Sequence, residues 1–138
     1  KNIKKFIHKP SIVIDTSDNW STMKLMNEFC VKNFIPLVSS SIIGYDGQVV
    51  LFKNETKNHL CLNCIFPNQK DPELPRCETV GVLGTAAGLT GLVVAQTVIN
   101  FLTKQRKNLN KIVMINSKSL EMKHIKIKKN NSCLYKNL

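Results

Sequence analysis

Between Thr79 and Thr103 the chain carries no charged residue, and this stretch limits what the sequence can build more than any other. The run from Val80 to Leu102 is long enough to span a bilayer. Gly84 and Gly88 stand at the small-xxx-small spacing of packed membrane helices, and Lys104, Arg106 and Lys107 flank the run on one side. A central helix of a soluble α/β core gives the same pattern, because a helix buried all round is apolar all round. Gln96 and Asn100 one helical turn apart, several threonines, four glycines in the first half and β-patterned segments on both sides favour this second reading. The expectation is one long buried helix and no membrane span.

The flanking segments set the fold class. Ser11 to Asp15 is a short β-branched run after Pro10, the pattern of a buried strand that ends on a carboxylate. The polar stretch Thr16-Ser17-Asp18-Asn19 follows, and Ser21 or Thr22 is expected to cap a helix. In that helix Met23, Met26, Cys30 and Phe34 share one face, and Pro36 ends it. Leu37 to Ile43 reads as a second strand, and Asp46-Gly47 is expected to turn the chain into Gln48 to Phe52. After the apolar helix, Lys111 to Ile115 and Leu120 to Ile127 return to strand, separated by a polar turn around Asn116 to Ser119. Strand, helix, strand and hairpin strand make an α/β mixed sheet with an antiparallel extension.

A net charge of +11 ordinarily raises nucleic acid as a partner. Here 18 lysines accompany only Arg76 and Arg106, beside 15 Asn and 13 Ile, a balance that an AT-rich coding sequence produces whatever the function. Arginine is the residue that forks onto guanine edges and phosphates. Its scarcity points to a solvated lysine surface and no nucleic-acid partner. Five cysteines in a chain with no export signal point to reduced thiols or metal ligands and to a cytoplasmic location.

Three places carry candidate chemistry. Asp15 to Asn19 lies at the carboxyl end of a strand, where ligands bind open α/β sheets, and a carboxylate there can hold Mg²⁺; an aspartate-rich capping turn is the plainer alternative. Cys61-x-x-Cys64 has zinc-ligand spacing, in an irregular segment of the kind that is usually functional or held by something. Cys133 in the tail is a third thiol; a matching fourth falls at position 136, where Lys136 stands, and His59 and His124 are conceivable substitutes. Cys77, beside Arg76 and just before the apolar helix, is placed for a lowered pKa and nucleophilic use, whereas Cys30 reads as a core thiol.

In order, these pieces are Asp-x-Ser-Asp-Asn after a strand, Asp46-Gly47-Gln48, Cys-x-x-Cys, Cys77-Glu78-Thr79-Val80-Gly81-Val82-Leu83-Gly84, a long helix with Ala95-Gln96, two strands and a late cysteine. Over residues 2 to 133 the chain resembles the C-terminal half of the MoeB/ThiF/HesA adenylyltransferases, relatives of the ubiquitin-activating enzymes. The resemblance implies a Rossmann-like fold of that type, with residues 1–138 forming a single partial domain. It implies attack of the C-terminal glycine carboxylate of a ubiquitin-like sulfur-carrier protein on the α-phosphate of Mg-ATP, in thiamine or molybdopterin cofactor biosynthesis. Asp18 then matches the Mg²⁺-binding aspartate and Asn19 its neighbour in the nucleotide site. Cys77 matches the crossover-loop cysteine that some members use as a thiol acceptor, and Cys61, Cys64 and Cys133 match three of four Zn²⁺ ligands. A cysteine desulfurase or rhodanese-type sulfurtransferase and a homodimeric state are the further partners implied. Three departures accompany the match. The family's glycine-rich phosphate loop and basic ATP ligands belong to an N-terminal half not found in these residues, so the isolated chain is expected to be inactive. Met23 stands where the family's Asp-Asn-x-x-Thr-Arg motif has arginine, and Lys136 stands where it has the fourth cysteine. The alternative expectation is a catalytically inactive binding module of the same fold.

Overall fold

The structure, a computed structural model, describes residues 10–55, 59–67, 77–105 and 110–135. Among the described residues five strands form one mixed sheet in chain order: β1 (Val13–Asp15), β2 (Leu37–Ile43), β3 (Asp46–Phe52), β4 (Lys111–Asn116) and β5 (Glu121–Lys126). β1 and β2 run parallel, joined by α1 (Trp20–Lys32), with Val13 opposite Leu37 and Asp15 opposite Ser39. Every later pairing is antiparallel. The α/β mixed sheet with an antiparallel extension is therefore the observed architecture. The remaining helices are α2 (Leu62–Ile65), α3 (Cys77–Val80) and α4 (Gly84–Leu102).

Strand alternation sends the core to both faces of the sheet. On one face Val13, Leu37, Val50 and Phe52 pack with Phe29, Cys30 and Val31 of α1 and with Cys61, Leu62, Cys64, Ile127 and Cys133. On the other, Val38, Val49, Leu51, Val113 and Ile115 pack under Val94 and Phe101 of α4. A sheet whose two faces are covered by different elements explains why Leu37-Val38 of β2 and Val49 to Phe52 of β3 are apolar at consecutive rather than alternate positions.

Local details differ from the sequence expectation in four places. Asn19, and not Ser21 or Thr22, caps α1: its side-chain oxygen accepts the Thr22 backbone N–H at 2.8 Å and the Ser21 hydroxyl at 2.8 Å. Phe34 is off the helix, at φ 56° and exposed, because α1 closes at Asn33 and the chain must reverse before Pro36. The β2–β3 reversal falls on Gly44-Tyr45, with Asp46 already paired to Ile43. Gly44 (φ 58°) and Gly81 (φ 77°) both take left-handed backbone. That conformation lets Gly44 N–H reach Gly81 O and Leu83 N–H reach Gly44 O, each at 3.0 Å, which ties the start of α4 to the end of β2.

The fourth difference concerns α4, which is not buried all round. It is long and apolar enough to cross a membrane by length and composition, yet only 22% of that apolar stretch is buried. Ala86, Thr90, Val94 and Phe101 face the sheet, while Leu92, Ile99 and Leu102 are exposed on the outside. A single sheet buries only one side of a helix, so a uniformly apolar helix leaves the other uncovered.

Candidate functional site

The carboxyl end of β1 separates two aspartates three positions apart. Asp15 is buried at the strand terminus, where one carboxylate oxygen accepts the Ser17 backbone N–H at 3.0 Å and the Ser17 hydroxyl at 2.7 Å. The turn thus formed carries the chain out to Asp18, which is exposed and makes no hydrogen bond or ion pair with the described residues. Asn19 spends its side chain on the helix cap. A free carboxylate beside the first turn of a helix, at the carboxyl end of a parallel strand, fits an oxygen ligand for Mg²⁺ bound to phosphates. The other oxygen of Asp15 is buried and finds no partner among the described residues.

On the α1 face of the sheet the chain gathers three cysteines from distant positions. The sulfurs of Cys61, Cys64 and Cys133 all lie within 4.8 Å of one another and all three residues are buried. Cys61 and Cys133 are 3.5 Å apart, sulfur to sulfur. Thiolates on a tetrahedral zinc stand roughly 3.8 Å apart, so the trio fits one face of such a tetrahedron. Cys61 and Cys64 are brought together by α2, in which Cys64 N–H bonds to Cys61 O at 2.9 Å. Cys133 arrives on a turn closed by its own N–H on Asn130 O at 3.0 Å, after β5 has carried the tail back across the sheet.

The thiols perturb one another. The Cys61 thiol donates toward Cys64 and lowers the Cys64 pKa, with the backbone at Asn130 adding to the effect. The same hydrogen bond and burial raise Cys61, and burial raises Cys133. Negative charge therefore settles first on Cys64, and a cation among the three sulfurs would draw off the remaining protons.

An amide pair that sequence reasoning did not single out holds this loop in place. Asn27 of α1 is buried; its Oδ1 accepts the Leu62 backbone N–H at 2.9 Å, and its Nδ2 donates to Asn63 Oδ1 at 3.1 Å. The signal was available, because Met23, Asn27 and Cys30 fall at helical spacing on one stripe. An asparagine on a core stripe, where it is a poor helix former, is there for its hydrogen bonds.

The other candidates whose side chains are described stand outside the cluster. His59 is buried but is not among the grouped sulfur ligands, and His124 is exposed on β5. Cys77 opens the four-residue α3, but its side chain lies outside the described residues. Met23, at the motif's arginine position, packs against the α1-side core. Cys30 is fully buried, and desolvation followed by the nearby Asp15 charge pushes its thiol up to about 12, which makes it the inert core thiol expected.

The chain matches the family model described as the ThiF family over residues 1–135. It is 25% identical over 131 residues to a sulfur carrier protein ThiS adenylyltransferase of Escherichia coli (strain K12), covering 95% of this chain and 51% of that protein. With an adenylyltransferase and sulfurtransferase MOCS3 of Dictyostelium discoideum it shares 36% identity over 104 residues, 75% of this chain and 24% of the relative. The crystal structure of E. coli MccB superposes with a TM-score of 0.76 at 15% identity, over 99% of this chain and 42% of that one. The chain thus spans about half the length of the first relative and less of the others.

Proposed function

The chain belongs to the ThiF family, and from that premise we propose that it forms the metal- and carrier-facing part of an ATP-dependent adenylyltransferase. Its substrate would be the C-terminal glycine of a ubiquitin-like sulfur-carrier protein in thiamine or molybdopterin cofactor biosynthesis. The names of two relatives, a sulfur carrier protein ThiS adenylyltransferase and an adenylyltransferase and sulfurtransferase MOCS3, support the sulfur-carrier part of that reading. The observation that carries the reading is the separation of the two carboxylates. Asp15 is committed to its turn, while Asp18 is left exposed one turn beyond the strand.

In this reading Asp18 would hold Mg²⁺, with Asn19 fixing the helix start beside it. A magnesium ion bound there offsets the charge that builds on the α-phosphate during adenylyl transfer. Cys61, Cys64 and Cys133 would hold Zn²⁺ as a structural ion that fastens the tail to the α2 loop. Cys77 would be the thiol that accepts the activated carrier, and a cysteine desulfurase or rhodanese-type sulfurtransferase would deliver the sulfur. A homodimer in the cytoplasm completes the proposal. The exposed apolar side of α4 is a surface on which further protein could pack.

Adenylation also needs a phosphate-cradling loop, and no glycine-rich loop of that type occurs in these residues. The test is carrier-dependent ATP–pyrophosphate exchange by a protein that joins or pairs this chain with a family N-terminal half. Asp18→Asn should reduce exchange by orders of magnitude, with fold and zinc content intact. Near-normal exchange by Asp18→Asn at saturating Mg²⁺ would remove the metal role. No exchange by the unsubstituted protein would favour the inactive binding module, which the unfamiliar Met23 makes worth separating.

A further inference from the structure

We propose that the ion held by Cys61, Cys64 and Cys133 keeps one coordination position that no described residue fills. A small monothiol in solution can then enter that position and leave again. The inference rests on the zinc reading above and adds to it the openness of the site.

Three observations carry it. The sulfurs cluster as a trio, mutually within 4.8 Å, and no fourth His, Cys, Asp or Glu joins them among the described residues. The two pairs are unequal in sequence. Cys61 and Cys64 are three apart, as two corners of a tetrahedron require, but the residue three beyond Cys133 is Lys136, whose ammonium has no lone pair to offer. His59 is buried close in sequence to Cys61 yet stands outside the trio. Four protein thiolates close a structural zinc site, whereas three protein ligands leave a place for a water or an exogenous ligand. Charge selects the entrant. Three thiolates on a divalent ion leave one negative charge, but the chain as a whole carries +11, so an anionic thiolate meets a favourable field. A soft sulfur donor also matches the three already present.

The experiment uses the full 138-residue chain loaded anaerobically with Co²⁺, whose thiolate charge-transfer band reports the number of bound sulfurs. Adding 2-mercaptoethanol should raise that band by about one-third, the step from three thiolates to four. Chelator extraction should be fast. In Lys136→Cys the band should start at the higher level, ignore added thiol, and release the metal more slowly by on the order of tenfold or more. A band in the unsubstituted chain that is already at the four-thiolate level, or that does not respond to thiol, would overturn the proposal. So would a loss of band intensity in Cys77→Ser, or a newly acquired thiol response in His59→Ala, since either would identify a protein residue in the fourth position. No cobalt charge-transfer band at all would remove the metal reading beneath it, a failure distinguishable from the others.

Discussion

Thr90 of α4 sits directly over Gly47 of β3, so that a Cβ on Gly47 would lie 2.0 Å from the Thr90 hydroxyl oxygen and 3.1 Å from its Cβ and Cγ2. The helix crosses the sheet as closely as it does because that strand position has no side chain. Gly47→Ala should destabilise the chain by about 1–3 kcal/mol in urea unfolding, the cost of overpacking a fixed contact. Thr90→Ala removes two of the three clashing atoms, and the Thr90 hydroxyl is buried with no partner among the described residues. The double variant should therefore be more stable than Gly47→Ala alone. A purely additive double-mutant cycle would show that the two residues are not in contact.

Asn27→Leu removes both hydrogen bonds that tie α1 to the cysteine loop and leaves the Leu62 N–H buried without an acceptor. The expected loss is about 1–3 kcal/mol. Unlike an ordinary core change, it should also lower metal occupancy, measured by inductively coupled plasma mass spectrometry after a fixed chelator challenge. Unchanged occupancy would mean that the loop holds its geometry without Asn27.

The two aspartates should separate in stability as they do in position. Asp15→Ala strips the Ser17 N–H and hydroxyl of their acceptor, and thermal unfolding should show a loss of about 1–3 kcal/mol. Asp18→Asn changes an exposed carboxylate and should stay within about 0.5 kcal/mol of the parent. Equal losses would mean that Asp18 is also committed to the turn.

Cys30 gives the chain an alkaline weakness. Its folded pKa of about 12 lies above the ordinary thiol value of 9.0, so the folded state holds the proton more tightly than the unfolded one. That stabilisation is fully present below the unfolded value and is lost as pH rises from there through the folded value. Urea midpoints measured up to about pH 10.5, above the ordinary thiol value and below the folded one, should fall more steeply for the parent than for Cys30→Ala. Parallel pH profiles would show that the thiol ionises freely.

On α4 the outward and inward faces should respond oppositely to charge. Leu92 is 71% exposed and Val94 is 7% exposed. Leu92→Lys should change stability by no more than about 0.5 kcal/mol and should reduce self-association in sedimentation. Val94→Lys buries an unpaired ammonium against Val49 and Val113 and should cost several times more. Similar costs at the two positions would mean that the outer face is covered in solution.

How much of this was legible beforehand depends on how local each determinant is. β-branched runs marked β1, β2 and β4, and an uncharged stretch marked α4, because period and polarity are properties of consecutive residues. The ordered series from Asp15 to Cys133 was enough to place the chain in its family, and the spacing of Cys61 and Cys64 was enough to nominate a metal. Asn19 as the cap was missed because Ser21 and Thr22 are equally good capping types one turn on, and only backbone geometry chooses among them. Meeting Cys133 with a loop some seventy positions earlier required β4 and β5 to carry the tail across the sheet. Whether α4 is buried on one side or all round depended on how many elements cover it, and a helix's own sequence does not encode its neighbours. That Asp15 closes the strand and orders the turn while Asp18 lies beyond it could be read from the order of the residues; the burial of the first and the exposure of the second came from where β1 ends in the packed sheet, which is a property of the fold and not of the motif.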